Sequence, residues 1–280
     1  MRFMTVCGVQ AVLVTVGFSM LGAACGDDAK GEPAPVDCNP GVGGKPVGCV
    51  FGTLVDTKGK PLSGVKVSAC TDVECIRADT AADGTYDIQG LQVAAHHIEV
   101  LGDPKGVATM VWWQAVPAGV QSRLKEPVVL QPLAGITKVP WLPDDGGTVT
   151  LADGRLELTA EPGTLKYAAG TVAADKAVLA IELDIDDIPP YDIEPWKGKE
   201  SKSMAFVVNP FPLKASAPIK VKVLGETGVA AGTPYTLYVA DPVFGNLERA
   251  GILTADGSGA LVSESGMTLQ DLTTLVIVPN

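Results

Sequence analysis

The stretch Val50-Phe51-Gly52-Thr53-Leu54-Val55, Asp56-Thr57-Lys58-Gly59-Lys60-Pro61, Val65-Lys66-Val67-Ser68-Ala69 decides the fold class. Its first six residues read as a strand and the next six as a turn. In Val65–Ala69 apolar and polar residues then alternate, the two-residue period of a half-buried strand. Ala82-Asp83-Gly84 marks a second turn, where glycine admits positive φ. Tyr86-Asp87-Ile88 and His97-Ile98-Glu99-Val100 continue the alternation. Strands of this length joined by tight turns predict an all-β architecture. Composition agrees, with 32 Gly, 21 Pro and only 19% charged residues.

The order Gly52-x-x-x-Asp56, Gly59-x-Pro61-Leu62-x-Gly64-Val65-x-Val67, then Asp83-Gly84-x-Tyr86-x-Ile88-x-x-Leu91 resembles the carboxypeptidase regulatory-like domain. That resemblance implies a small transthyretin-like β-sandwich over residues 47–132. It also implies an accessory role, because the family supplies no catalytic residues to carry over.

Residues 133–280 read as a second β-sandwich. Gly146-Gly147-Thr148-Val149 leads to a turn at Asp153-Gly154 and an answering strand from Arg155 to Ala160, a hairpin pattern. Pro162-Gly163-Thr164-Leu165 follows. Further strands are expected at 178–185, 204–208, 219–224, 235–240, 250–253, 260–263 and 274–278. The opening pieces are similar to the ZU-type β-sandwich of ankyrins and netrin receptors, more weakly than in the first module. Within this module Glu182, Asp184 and Asp186 alternate with apolar residues. Same-face carboxylates on a strand stand nearly 7 Å apart, which disperses them and disfavours calcium. Pairing with Lys220 and Lys222 across neighbouring strands is the expected arrangement.

At the other end, one basic residue, Arg2, precedes an uncharged apolar run from Val6 to Leu21, and small residues then lead to Cys25. The layout is that of a secretory signal over residues 1–24. The run is short of the roughly 20 residues needed to span hydrocarbon. The cysteine makes the segment resemble a bacterial lipoprotein signal, which implies lipidation of Cys25 and anchorage to a membrane. Gly26 rather than aspartate follows it, which resembles the outer-membrane sorting signal of enteric bacteria, on the periplasmic or surface face. Residues 25–46, rich in Gly, Pro and charge, read as a flexible tether between signal and first sandwich.

Four cysteines remain in an oxidising compartment: Cys38, Cys49, Cys70 and Cys75. Their even number predicts two disulfides with three possible connectivities. Cys38–Cys49 and Cys70–Cys75 are favoured, since each encloses a turn-rich segment. The spacings lack the paired C-x2-C of zinc sites, so no metal and no cofactor is expected.

The net charge of −11 gives no electrostatic footprint for nucleic acid. His96 and His97, the only histidines, are adjacent and would point to opposite faces of a strand. No G-x-S-x-G elbow, H-E-x-x-H or catalytic-cysteine signature occurs. Trp112 and Trp113 should likewise split, one ring to the core and one outward, where a tryptophan can stack on a sugar. Trp141 and Trp196, each beside proline, read as loop anchors. The sequence therefore predicts a non-catalytic, lipid-anchored envelope protein that binds or scaffolds. Its expected partners are the membrane, through the N-terminal lipid, and an envelope protein or polysaccharide. A carbohydrate- or peptidoglycan-binding lipoprotein and an accessory subunit of an envelope hydrolase stand as alternatives.

Overall fold

Two four-stranded sheets, built from residues 48–130, pack face to face in the computed structural model. It describes Cys38 and residues 47–280 apart from 173–174, 212 and 226–228. The expected signal segment, the Cys25 lipidation site and, Cys38 excepted, the tether over 25–46 lie outside the described residues. The chain is all-β, and no α-helix occurs among the described residues.

The first lobe contains β1 (Gly48–Asp56), β2 (Lys66–Cys70), β3 (Cys75–Asp79), β4 (Thr85–Leu91), β5 (Ala95–Leu101), β6 (Met110–Ala115), β7 (Gln121–Arg123) and β8 (Val128–Leu130). One sheet has the order β4-β1-β7, with β8 also paired to β1; the other runs β3-β2-β5-β6. The alternation read from the sequence places Val67, Ala69, Ile98, Val100, Met110 and Trp112 on the inner face of the second sheet. They meet Val50, Leu54, Tyr86, Ile88 and Leu91 of the first. The two turns behave as their residues dictate. Asp56 Oδ1 accepts the backbone N–H groups of Lys58 at 2.8 Å and Lys60 at 2.9 Å, which holds its carboxyl below the ordinary range. Gly84 sits at φ +79°, and a Cβ there would collide with the Leu54 carbonyl, so glycine is required twice over.

The second lobe contains β9 (Val139–Pro140), β10 (Gly147–Leu151), β11 (Leu156–Ala160), β12 (Leu165–Lys166), β13 (Ala177–Leu183), β14 (Met204–Asn209), β15 (Leu213–Ala215), β16 (Lys220–Val223), β17 (Pro234–Ala240), β18 (Leu247–Ala255), β19 (Leu261–Ser263), β20 (Asp271–Leu272) and β21 (Thr274–Pro279). Ten of these form one sheet, in the order β10-β11-β16-β19-β18-β17-β21-β14-β13-β9. Its terminal strands β9 and β10 lie against each other, so the sheet nearly closes into a barrel. A three-stranded sheet, β12-β15-β20, accompanies it. The Asp153-Gly154 turn joins β10 to β11, with Leu151 opposite Leu156.

No strand of the first lobe pairs with one of the second among the described residues. The lobes are nevertheless packed together. Phe206 and Val208 of β14 and Leu275 and Ile277 of β21 belong to the second lobe's own core. The residues between them, Ala205, Val207, Val276 and Val278, join the cluster that contains the first lobe's core. Both faces of these strands are therefore dry, which is why Leu275-Val-Ile-Val278 is apolar without alternation. Polar bridges cross the seam: Thr109 N–H donates to Asn209 Oδ1 at 3.2 Å, and Gln131 Nε2 donates to Asp187 Oδ2 at 3.0 Å.

The expected charge ladder is corrected by strand order. β13 pairs with β14 and β9, whereas β16 pairs with β11 and β19. Lys222 lies opposite Glu157, and Lys220 opposite Thr159. Glu182 instead meets Arg155, with Nε donating to Oε2 at 3.2 Å. Asp184 and Asp186 leave the strand altogether, because β13 ends at Leu183 and Asp184 caps a short 3-10 turn over Ile185–Asp187. Alternation assigns side chains to faces but does not say which strand lies alongside.

Candidate functional site

The outer face of the β3-β2-β5-β6 sheet carries a transverse row fixed by register. Cys75 lies opposite Cys70, Cys70 opposite His97, and His97 opposite Trp113. Cys70 and Cys75 are bonded across the β2–β3 turn, with Cα atoms 4.0 Å apart. Cys38 and Cys49 form the other disulfide, with Cα atoms 5.6 Å apart.

The turn Asp241-Pro-Val-Phe-Gly-Asn246, between β17 and β18, closes over this row. Asp241 Oδ1 accepts the N–H of Val243 at 2.7 Å and of Phe244 at 2.6 Å, which fixes both side chains outward. Gly245, at φ +70°, rests on the backbone carbonyl of Trp112, an approach that leaves no room for a Cβ. The result is a cleft of about 190 Å³ with Trp113, His97 and Cys70 from the first lobe on one side and Val243 and Phe244 from the second on the other. Thr71, Asp72, Gln92, Ala94 and Ala95 complete it.

The rim is apolar and exposed. Val73 is 71% exposed, Phe244 60%, Val93 46% and Val243 46%. These are four of the eight exposed large hydrophobic residues among those described: Val243 and Phe244 line the cleft, and Val73 and Val93 sit in the turns of the lining residues Asp72 and Gln92. The two first-lobe turns of the rim are tied together, because Glu74 Oε1 accepts the Gln92 N–H at 2.7 Å. The same oxygen lies 3.4 Å from Nε2 of His96, whose ring is wholly buried on the opposite face from His97. Burial holds the His97 imidazole below its ordinary 6.5, with the Asp241 carboxylate acting the other way. At neutral pH it is an uncharged lining group.

The tryptophan pair divides as strand geometry requires, and one of the two stacking candidates is removed. Trp112 is 0% exposed in the first lobe's core and offers no ring to a ligand. Trp113 is half-buried in the cleft, with one edge of its slot formed by the second lobe. Trp141 is buried in the second lobe and donates from Nε1 to the Gly147 carbonyl at 3.3 Å. Trp196 stands edge-on to Tyr191, with centroids 6.4 Å apart. Val243 and Phe244 were not singled out in the sequence. Their signal is an apolar pair held inside an Asp-Pro…Gly-Asn turn, where a solvated loop would place polar residues.

No known family matches the sequence, and no curated protein does. Among solved structures the chain is similar to the TIE protein of Bacillus anthracis at 10% identity and a TM-score of 0.29, over 84% of this chain and 48% of that one. It thus spans about half the length of that protein. A Bacteroides uniformis protein whose name proposes carbohydrate binding gives 10% identity and a TM-score of 0.23, over 84% of this chain and 100% of its own. The major pilin SpaD of Corynebacterium diphtheriae gives 11% identity and a TM-score of 0.24, over 80% and 84%. Scores this low do not establish a shared fold, and no property of the site follows from them.

Proposed function

We propose that this protein is a non-catalytic, lipid-anchored binding module of the cell envelope, and that the rim around Trp113 is the face it offers to a partner protein. One observation carries the reading. Val243 and Phe244 line a cleft made by both lobes, and Val73 and Val93 follow its lining residues Asp72 and Gln92, so half of the exposed large hydrophobic side chains among the described residues lie in the segments that frame it. Scattered single apolar residues need no explanation, whereas a contiguous exposed patch marks an interaction site. The aromatic and aliphatic character of Trp113, Phe244, Val243, Val73 and Val93 is that of the buried centre of a protein interface.

The anchor is supported by the apolar run ending at Leu21-Gly-Ala-Ala-Cys25. The non-catalytic role is supported by the neighbours of His97, a bonded cysteine and an indole, neither of which is an available nucleophile. The two packed four-stranded sheets support assignment of the first lobe to the carboxypeptidase regulatory-like domains, which accompany other modules.

The test is photo-crosslinking in intact cells from a reactive residue at position 73 or 244, with positions 120 and 193, also apolar and exposed, as controls. The expected result is one adduct shared by positions 73 and 244 and absent from the controls. No adduct at the rim, or the same adducts at all four positions, overturns the docking face. The anchor is checked separately by mass spectrometry of the mature protein, which is expected to begin at an acylated Cys25. An unmodified N-terminus elsewhere removes it.

A further inference from the structure

The two disulfides differ in what can reach them. Cys38 and Cys49 are both buried, Cys49 completely, so a reductant meets their bond only when the surrounding strands open. Cys70 is likewise buried, in the wall of the Trp113 cleft. Its partner Cys75 is exposed on β3, the edge strand of its sheet. Thiol–disulfide exchange begins with a thiolate approaching one sulfur, so access decides which bond opens, and exposed disulfides are the labile ones.

The Cys70–Cys75 bond does little to hold the sheet. Strands β2 and β3 are already joined by cross-strand pairing from Lys66, opposite Asp79, to Cys70, opposite Cys75. The cysteines are only 5 positions apart, and the stabilisation a crosslink gives falls as the loop it closes shortens. What the bond does hold is the turn beyond it, because Cys70 opposite Cys75 is the last rung before Thr71–Glu74. Past that rung, Thr71 N–H donates to the Glu74 carbonyl at 2.8 Å. Thr71 Oγ1 accepts the N–H groups of Val73 at 3.3 Å and Glu74 at 3.2 Å. Asp72 and Val73 are exposed, so water competes for these bonds, the condition under which a segment opens locally. This turn is part of the docking rim, since Asp72 lines the cleft and Val73 follows it.

We propose that Cys70–Cys75 is a redox-sensitive latch, opened by a dithiol reductant while Cys38–Cys49 stays closed, and that opening it loosens the 71–74 turn. A thiolate of the reductant attacks Sγ of Cys75, the S–S bond breaks, and Cys70 leaves with the electron pair and takes a proton from water. The reductant's second thiol then attacks the mixed disulfide and frees Cys75. One dithiol is oxidised to a disulfide while Cys70 and Cys75 are reduced to two thiols. That the loosened turn weakens partner binding rests on the docking face proposed above.

The purified full chain is equilibrated with reduced dithiothreitol in rising excess over its oxidised form, and free thiols are alkylated and located by mass spectrometry. The expected result is alkylation of Cys70 and Cys75 together, over a range in which Cys38 and Cys49 stay bonded. Hydrogen exchange on the same samples should quicken at the Val73 and Glu74 amides by at least about tenfold once the bond opens, with β5 unchanged. Opening of Cys38–Cys49 at the same or a lower excess overturns the proposal, and so does selective reduction that leaves exchange at the turn unaltered. In cells, the double variant Cys70→Ser with Cys75→Ser should lose most of the adduct that position 244 forms in the parent; an undiminished adduct overturns the effect on docking. No adduct in the parent contradicts the docking face alone, and the alkylation and exchange results still decide the latch.

Discussion

Trp112 and Trp113 are chemically identical neighbours whose energetics diverge because successive strand residues face opposite ways. Trp112 is enclosed by the first lobe's core and Trp113 lines a solvent-accessible slot. Trp112→Ala is expected to cost about 3–5 kcal/mol, the range for a fully buried large aromatic, and Trp113→Ala clearly less. Urea unfolding of the two variants measures the difference, and equal losses would contradict the assigned faces. Glu99 gives a pH-dependent counterpart. Burial holds its carboxyl above the ordinary 4.5, with Arg77 partly offsetting this. The folded state therefore retains the proton at pH values where the unfolded state has lost it, and stability falls as pH rises through that window. Glu99→Gln should melt at a higher temperature than the parent near pH 7, with the gap closing near pH 4. A gap independent of pH would exclude the buried carboxyl as its cause. The division of the tryptophans was readable from their adjacency. Which of them faced inward was not, since that depends on the phase of β6 against its sheet.

At the level of elements, the sequence alternation located most strands of the second lobe to within a residue or two, because each has one face in a core. It did not reveal neighbours. Lys220 and Lys222 alternate with apolar residues as Glu182 and Asp184 do, and matched patterns suggested pairing. The ten-stranded order puts β16 beside β11 instead. A double-mutant cycle distinguishes the two arrangements. Glu157 and Lys222, directly opposed, should couple by about 0.2–1 kcal/mol, and Glu182 and Lys222 by nothing measurable. Coupling in the second pair alone would mean that the register is wrong. β14 and β21 carry a different lesson. Their uninterrupted apolar runs recorded burial on both faces, and that is the one sequence signal of the seam between the lobes.

At the scale of the molecule the Trp113 cleft lies where the lobes meet, so the seam matters more than either lobe alone. Val243 and Phe244 reach the Trp113 row only because Gly245 can lie flat on the Trp112 carbonyl at φ +70°. Gly245→Ala strains that conformation and forces the turn off the strand, at an expected cost of about 1–3 kcal/mol. Limited proteolysis of the 241–246 turn should accelerate in that variant; an unchanged rate would show that the contact does not hold the turn. This long-range closure could not be read from the chain, because it joins residues more than a hundred positions apart with no pattern linking them.

The central claim is that the described lobes act as one body whose seam builds the docking rim. Native-state hydrogen exchange in rising urea tests it most directly. The account predicts that the amides of β5, under the rim in the first lobe, and of β17, beside the rim in the second, converge on a single opening free energy. Separate opening of the two, with one strand exchanging at the full stability of its own lobe while the other is already unfolded, would contradict it.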